Sequence, residues 1–339
     1  MRKPDSAYPG GRPTLSDIAA AVGVSKITVS RALRDSDLVK PEVKQQIRDT
    51  AAAMGYRPNL AARDLRLRQR KRISVVIDME ASADRPMYDP YPLALLGGIV
   101  QECATAGLSV VLTTSDGSIS PETQDASGII LLGQGAHHHA VHELAALGLP
   151  LAVWGADDGV ERKMGVAVVG SDNRLGGQLA ARHMLARGRK KLVFLGDTSH
   201  AELSDRMAGF GEALTGTDAS LVGELPCDFT SEGGRAAMQA LIADGVAFDG
   251  LFAGSDLMAI GAMRAMRDAG LLPGRDVTVV GYDDSPAAAS HSPGLTSVHQ
   301  NWTAGGQLLA ATLLSTLDPT RYPAPISRIL ATELTIRDS

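Results

Sequence analysis

Residues 14–33, TLSDIAAAVGVSKITVSRAL, leave room for little except two short helices around a tight turn. Leu15, Ile18, Ala19 and Val22 recur at three- and four-residue spacing, which predicts a first helix with one apolar face. Thr14 stands three residues before Asp17, the arrangement of an N-terminal cap with a carboxylate in the first turn. Gly23 supplies a positive φ where that helix ends, and Ser25 caps the next. On the second helix Val29, Ala32 and Leu33 turn back onto the first, leaving Lys26, Ile27, Thr28, Ser30 and Arg31 outward. Hydroxyls, two cations and one aliphatic group suit base edges and thymine methyls in a major groove. A helical hairpin with a merely solvated face would share this periodicity. Small residues where two steeply crossed helices touch favour the DNA-reading form.

Charge divides the chain at the same place. Residues 1–72 carry 16 Lys and Arg against 7 Asp and Glu, a net of +9; the remainder carries 17 against 31, a net of −14. A basic head on an acidic body points to nucleic acid for the head alone. The leader, residues 1–12, is polar and rich in Pro and Gly and reads as disordered, with no signal-peptide core. There is no apolar run of about 20 residues, so no membrane span is expected and the location reads as cytoplasmic. Cys103 and Cys227 stand far apart outside any CxxC spacing and read as free thiols.

A polar turn, RDSDLVK, follows the helix pair. Pro41 then opens a third helix to about Met54, with Val43, Ile47, Ala51 and Met54 on one face. Gly55 ends it, and Tyr56-Arg57-Pro58 cannot continue a helix. Asn59 caps LAARDLRLR, a segment of about two turns, marginal on its own in water. Four arginines lie from Arg57 to Arg68 and disfavour burial, though a charged linker with leucines packed on the body is the alternative.

The helix pair resembles the helix-turn-helix of the LacI/GalR family of bacterial transcription regulators. The likeness continues through GYRPN at 55–59 and ARDL at 62–65, and covers nearly the whole chain after about residue 12. It implies DNA contacts from Thr14, Ser25, Lys26, Ile27, Thr28, Ser30, Arg31, Tyr56 and Asn59. It also implies a hinge helix, paired with its twin in the minor groove, bearing Ala62, Arg63 and the wedge Leu65. The chain lacks the glycine the family usually carries near Leu67.

From Ile73 the texture becomes an alternation of strands and helices. ISVVID is a strand, 93–106 a helix, and LSVVLTT, GIILL, PLAVW and GVAVVG are short apolar runs. A second series follows: helix 173–187, strand KLVFLG, helices 206–214 and 233–243, strand GLFAG, helix 257–269 and strand VTVVGYD. Strands recurring after helices predict parallel sheets with right-handed crossovers. The fold class is therefore α/β: an all-α headpiece (13–57), a hinge and linker (58–72), and a body (73–339) of two doubly wound parallel-sheet subdomains. The resemblance implies a periplasmic-binding-protein-like body with three chain crossings, the later two near Gln300 and Arg328. The first subdomain then takes about 73–172 and 301–328, and the second about 173–300 and 329–339.

Ligands in open α/β sheets lie at the carboxyl ends of strands, so a cleft between the subdomains is the expected pocket. Asp78 ends the first body strand, and Ser255 follows LFAG. The resemblance assigns effector contacts to Asp78, Asp89, Tyr91, Arg206, Phe229, Ser255 and Asp283; many members have Asn-Asp where this chain has Ser255-Asp256. Asp256 reads as a helix cap or turn former. Aspartates, one arginine and an aromatic face suit a neutral polyol.

Enzyme readings lack their motifs: there is no P-loop, no GxSxG elbow and no HExxH. Asp283-Asp284 as a glycosidase pair fails because adjacent residues at a strand end diverge. His138 and His142 could chelate on a helix face, but consecutive histidines point apart and the tract reads as a solvated helix start, with no metal and no cofactor. A secreted sugar-binding protein fits neither the basic headpiece nor the leader. The expectation is a homodimeric repressor binding double-stranded operator DNA and controlled by a sugar or glycoside. A ligand-dependent activator, or a corepressor-dependent regulator with a non-sugar effector, is the alternative.

Overall fold

The computed structural model describes residues 13–33, 35–56, 72–79, 89–114, 119–157, 159–325 and 328–339. The expected leader and the hinge segment, with Asn59, Ala62, Arg63 and Leu65, lie outside the described residues. The chain divides into two units, Met1–Gln69 and Arg70–Ser339.

The first unit is a three-helix headpiece: α1 (Leu15–Val22), α2 (Lys26–Leu33) and α3 (Pro41–Ala53). Thr14 and Asp17 form a reciprocal capping box, the Thr14 N–H donating to Asp17 Oδ2 at 2.7 Å. That bond holds the Asp17 carboxyl below its ordinary range. Gly23, at φ 73°, ends α1 with its N–H on the Ala19 carbonyl. Ser25 Oγ accepts the Thr28 N–H at 3.1 Å and so starts α2. Ile18, Val29, Ala32, Val39, Ile47 and Ala51 close a small core.

The second unit begins with β1 (Arg72–Ile77), α4 (Pro90–Thr105), β2 (Ser109–Thr114), α5 (Pro121–Gln124), β3 (Gly128–Leu132), α6 (His139–Ala145), β4 (Leu151–Trp154), α7 (Val160–Lys163) and β5 (Ala167–Ser171). It continues with α8 (Asn173–Ala186), β6 (Lys191–Leu195), α9 (Ala201–Leu214), β7 (Ser220–Leu225), α10 (Ser231–Ala243), β8 (Gly250–Ala253), α11 (Asp256–Asp268) and β9 (Thr278–Asp283). Last come α12 (Pro286–Ser290), β10 (Thr296–His299), α13 (Trp302–Leu317), β11 (Ile329–Leu330) and β12 (Glu333–Thr335).

These strands form two sheets of the same topology, β11-β5-β4-β3-β1-β2 and β12-β10-β9-β8-β6-β7. Pairing is parallel except between β10 and β12. Inner strands such as β3 and β8 are buried at every position, because helices cover both faces. Strand order reverses between β1 and β3 and again between β6 and β8. The chain beyond these ends, at Asp78, Gly133, Gly196 and Gly254, emerges where open α/β sheets bind ligands.

The chain passes between sheets after β5, again from Gln300 into α13, and finally between Leu330 and Glu333. The last crossing lies past Arg328, where it was expected, because Ile329 and Leu330 pair with Gly170 and Ser171 of β5. Strands β7 and β10 and helix α13 had not been singled out in the sequence. Helix α9 starts at Ala201 rather than Arg206, its first turns anchored by the buried Leu203.

Three helix pairs cross with glycines facing each other's backbone. A Cβ on Gly98 or Gly306 would run into the Thr303 or Leu95 carbonyl, where α4 meets α13. Gly177 and Gly209 do the same between α8 and α9, against the carbonyls of Arg206 and Arg174. Gly234 and Gly261 do so between α10 and α11, against those of Met258 and Ser231. Because the obstacle is backbone, repacking a side chain cannot relieve it. Gly209→Ala should therefore lower stability by about 1–3 kcal/mol through overpacking, read as a reduced urea midpoint. An unchanged midpoint would show that α9 shifts freely.

Candidate nucleic-acid interface and effector cleft

On α2, burial of Val29 and Ala32 decides which residues face outward. Ile27 is 64% exposed beside exposed Lys26 and Arg31, an aliphatic group that no packing requirement of the headpiece explains. Ser25 is exposed, and Thr28 and Ser30 are half-buried. Thr14 is exposed but its hydroxyl is engaged in the capping box. Tyr56 packs partly against the headpiece core.

In the body a cleft of about 500 Å³ opens at the carboxyl ends of both sheets. All seven expected effector residues line it: Asp78, Asp89 and Tyr91 from the first half, and Arg206, Phe229, Ser255 and Asp283 from the second. Asp89 caps α4 by accepting the Tyr91 N–H at 2.8 Å, which places Tyr91 at the mouth of its helix. Tyr91 meets Trp302 edge-on, ring centroids 5.8 Å apart. Across the cleft Phe229 meets His200 in the same manner at 5.2 Å.

Arg206 is buried. Its Nε donates to Asn173 Oδ1 at 2.9 Å and its Nη1 to the Gly254 carbonyl at 2.5 Å. The guanidinium carbon lies over the Tyr282 ring, 3.6 Å from its centroid. The Gly177–Gly209 crossing brings α9 close enough to α8 for this. Asp283 closes β9 in a left-handed backbone conformation, φ 117°, and its Oδ1 accepts from Gln300 Nε2 at 2.7 Å. Ser255 lines the cleft and also caps α11, its Oγ accepting the Met258 N–H at 3.3 Å.

The cap is thus Ser255. Asp256, read from the sequence as a cap or turn former, is only 1% exposed and also lines the cleft. Gln134, Trp154, Glu202, Gln300 and Trp302 are also part of the wall, without having been foreseen. Gln300 and Trp302 follow TSVH of β10, whose four residues hold one apolar side chain and give no strand signal separable from a turn. Glu202 was hidden by the late start expected for α9.

The histidine tract does not form a helix face. His137 and His138 have φ of 55° and 58°, α6 begins only at His139, and His138 Nδ1 lies 2.5 Å from Oε1 of the fully buried Glu161. His138 is therefore packed rather than solvated. Among the described residues no three His, Cys, Asp or Glu side chains gather as metal ligands. No helix of the described residues is long and apolar enough to cross a membrane.

A model of the lacI family of bacterial regulatory proteins matches residues 14–59, and one of a periplasmic binding protein-like domain matches residues 181–339. The HTH-type transcriptional regulator CelR of Thermobifida fusca is 31% identical to this chain, covering 97% of it and 98% of the relative. The chain belongs to the lacI family of bacterial regulatory proteins. This DNA-binding regulator is also 32% identical to the HTH-type transcriptional regulator MalR of Streptomyces coelicolor, over 96% of each chain. The lac repressor dimer bound to operator and the anti-inducer ONPF shares its fold, with a TM-score of 0.81 at 23% identity, over 97% of this chain and 99% of that one. A solved CelR–cellobiose complex matches with a TM-score of 0.68 at 27% identity, over 97% of this chain and 100% of that one.

The regulator's cleft holds two acids on one wall. Burial, with the Asp283 charge beside it, pushes the Asp256 carboxyl up to about 8, so it keeps its proton at neutral pH. A carboxyl raised on folding favours the folded state fully below its ordinary value of 3.8, and that contribution is lost as pH rises through about 8. Asp256→Asn removes the ionisation but keeps the shape. The wild-type urea midpoint should therefore fall relative to Asp256→Asn between pH 5 and pH 8. Parallel pH profiles would place the raised proton elsewhere.

Proposed function

We propose that this regulator is a repressor released from its operator by a neutral sugar or glycoside bound in the body cleft. The observation that carries the reading is the convergence of Arg206 and Asp283 between two aromatic pairs. The guanidinium donates to ligand oxygens, the carboxylate accepts from hydroxyls, and Tyr91–Trp302 and His200–Phe229 offer ring surface to a sugar's C–H face. Asp78 and Ser255 at strand ends, and Asp89 at the start of α4, supply further acceptors. Five lining carboxylates besides the protonated Asp256, set against one guanidinium, repel phosphorylated ligands. The volume falls within the ~300–1,000 Å³ of small-molecule sites. The relatives agree in kind: one solved complex is CelR with cellobiose, and another lacI-family structure, from Enterococcus faecium, holds ribose.

DNA reading falls to the outer face of α2, with Lys26, Ile27, Thr28, Ser30 and Arg31 at base edges, Ser25 at the start of the helix, and Thr14 and Tyr56 at its margin. The remaining DNA contacts are assigned to Asn59, Ala62, Arg63 and Leu65, which lie outside the described residues. The regulator acts in the cytoplasm as a homodimer and as a binding protein rather than an enzyme. Exposed apolar side chains on the body, Leu93 and Val100 of α4 and Leu112 of β2, supply surface for a second copy. Effector that favours one cleft geometry disfavours the DNA-bound state by the same free energy.

Arg31→Ala or Lys26→Ala should cost about 1–3 kcal/mol on operator and relax preference at particular base pairs, measured by competition binding. Equal losses on operator and random DNA would reduce both to phosphate contacts. Arg206→Ala and Asp283→Ala should each bind operator normally but fail to release it when sugars are screened. Both tryptophans, Trp154 and Trp302, line the cleft, so intrinsic fluorescence reports occupancy in that screen. A variant that still releases would remove its residue from the effector site.

A further inference from the structure

Asp283 and Asp284 are consecutive non-glycine residues with positive φ, 117° and 54°. L-residues rarely adopt either conformation, and such backbone persists only where the surroundings over-determine it. The surroundings converge on Asp256. Its Oδ2 accepts the N–H of Ser285 at 2.7 Å, and its Oδ1 accepts the Ser297 hydroxyl at 2.6 Å. That Ser297 oxygen in turn accepts the Asp284 N–H at 2.9 Å. One fully buried carboxyl group on α11 thus governs, directly and through one hydroxyl, the backbone N–H groups of the two residues that follow Asp283. Gly281 leaves the space it needs, since a Cβ there would run into Asp256 Oδ1.

The far side of the turn is held separately. Asp284 takes Arg337 Nη2 at 2.6 Å, the Thr335 hydroxyl at 2.9 Å and His299 Nδ1 at 3.2 Å. Burial alone would raise the Asp284 carboxyl, but the bonds from Arg337 and Thr335 hold it below its ordinary range. The two neighbouring carboxylates therefore divide, Asp283 toward the cleft and Asp284 toward the strands that flank the crossings.

We propose that Asp256 is the positioning residue of the effector site, imposing through Ser285 and Ser297 the left-handed turn that presents the Asp283 carboxylate to the cleft. The proposal rests on the reading of Asp283 as an effector contact and extends it to a residue that need not touch the ligand. A lone charge at this depth would oppose Asp283. The proton that Asp256 retains removes that opposition, and Ser285 and Ser297 remain bonded to it. Of the charged groups nearby, Asp283 on β9 faces Asp256, Arg206 on α9 is committed to Asn173 and Gly254, and Asp284 is neutralised by Arg337.

The test uses the full-length protein with Asp256→Asn, Asp256→Ala and Ser297→Ala. An asparagine can still accept from the Ser285 N–H and donate to Ser297 Oγ, whereas alanine can do neither. Crystal structures without sugar should show Asp283 keeping its positive φ in Asp256→Asn and relaxing to an ordinary extended φ in Asp256→Ala. If Asp256→Ala does not fold, Ser297→Ala should show the relaxation at Asp284 with the core intact. Retention of both positive φ values in the alanine variants would overturn the proposal.

The binding arm uses cellobiose and maltose as probes, followed by intrinsic fluorescence. For whichever sugar binds the wild type, Asp256→Ala should weaken binding about tenfold or more, and Asp256→Asn by less than about threefold. Equal weakening in both would assign Asp256 a general role in stability and overturn positioning. Unaltered binding by Asp283→Ala would instead remove Asp283 from the effector site, leaving the crystallographic result to decide the turn. If neither sugar binds, the crystallographic arm decides alone.

Discussion

Close backbone contact between paired helices is the constraint on which the body depends. Where Gly177 and Gly209 meet, α8 and α9 approach until carbonyl oxygens occupy the space of side chains. That approach places Asn173, at the start of α8, within hydrogen-bond reach of Arg206 in the middle of α9. The guanidinium is then held by Asn173, by the Gly254 carbonyl and by the Tyr282 ring before any ligand arrives. A guanidinium so fixed has little conformational entropy left to lose. The α4–α13 and α10–α11 crossings repeat the device. Together they set the helix layers from which Tyr91, Trp302 and Asp256 reach the cleft.

The two units solve opposite electrostatic problems. The headpiece belongs to the basic part of the chain and leaves Lys26 and Arg31 exposed on the outer face of α2. The body concentrates carboxylates around one arginine, which suits a ligand rich in hydroxyls and repels DNA phosphates. Asp256 and Asp283 mark the limit of that strategy, since two charges on one buried wall oppose each other and one group keeps its proton.

Much of this was legible in the residues. The Thr14–Asp17 capping box, Gly23 and the burial of Val29 and Ala32 follow from local rules, because helix caps and apolar faces are decided within a few residues. The alternation of apolar strands with helices determined the α/β class and two similar halves, because buried parallel strands must be apolar throughout. Resemblance to a family, rather than any local rule, brought Arg206, Phe229 and Asp283 together in advance. Their place in one cleft required strand order and crossings that no short window contains.

Other features only tertiary structure decided. Ile329 and Leu330 join the first sheet because β5 offers them an edge, and two residues carry no periodicity of their own. Trp302 and Gln300 reach the cleft because the second crossing delivers them there. Ser255 and Asp256 show the division most sharply. Either could cap a helix by its chemistry, and a window of sequence treats the two alike. Serine takes the cap, while aspartate turns inward to the Ser285 N–H and the Ser297 hydroxyl, donors that lie 29 and 41 residues away and exist at that point only once β9 and β10 have paired.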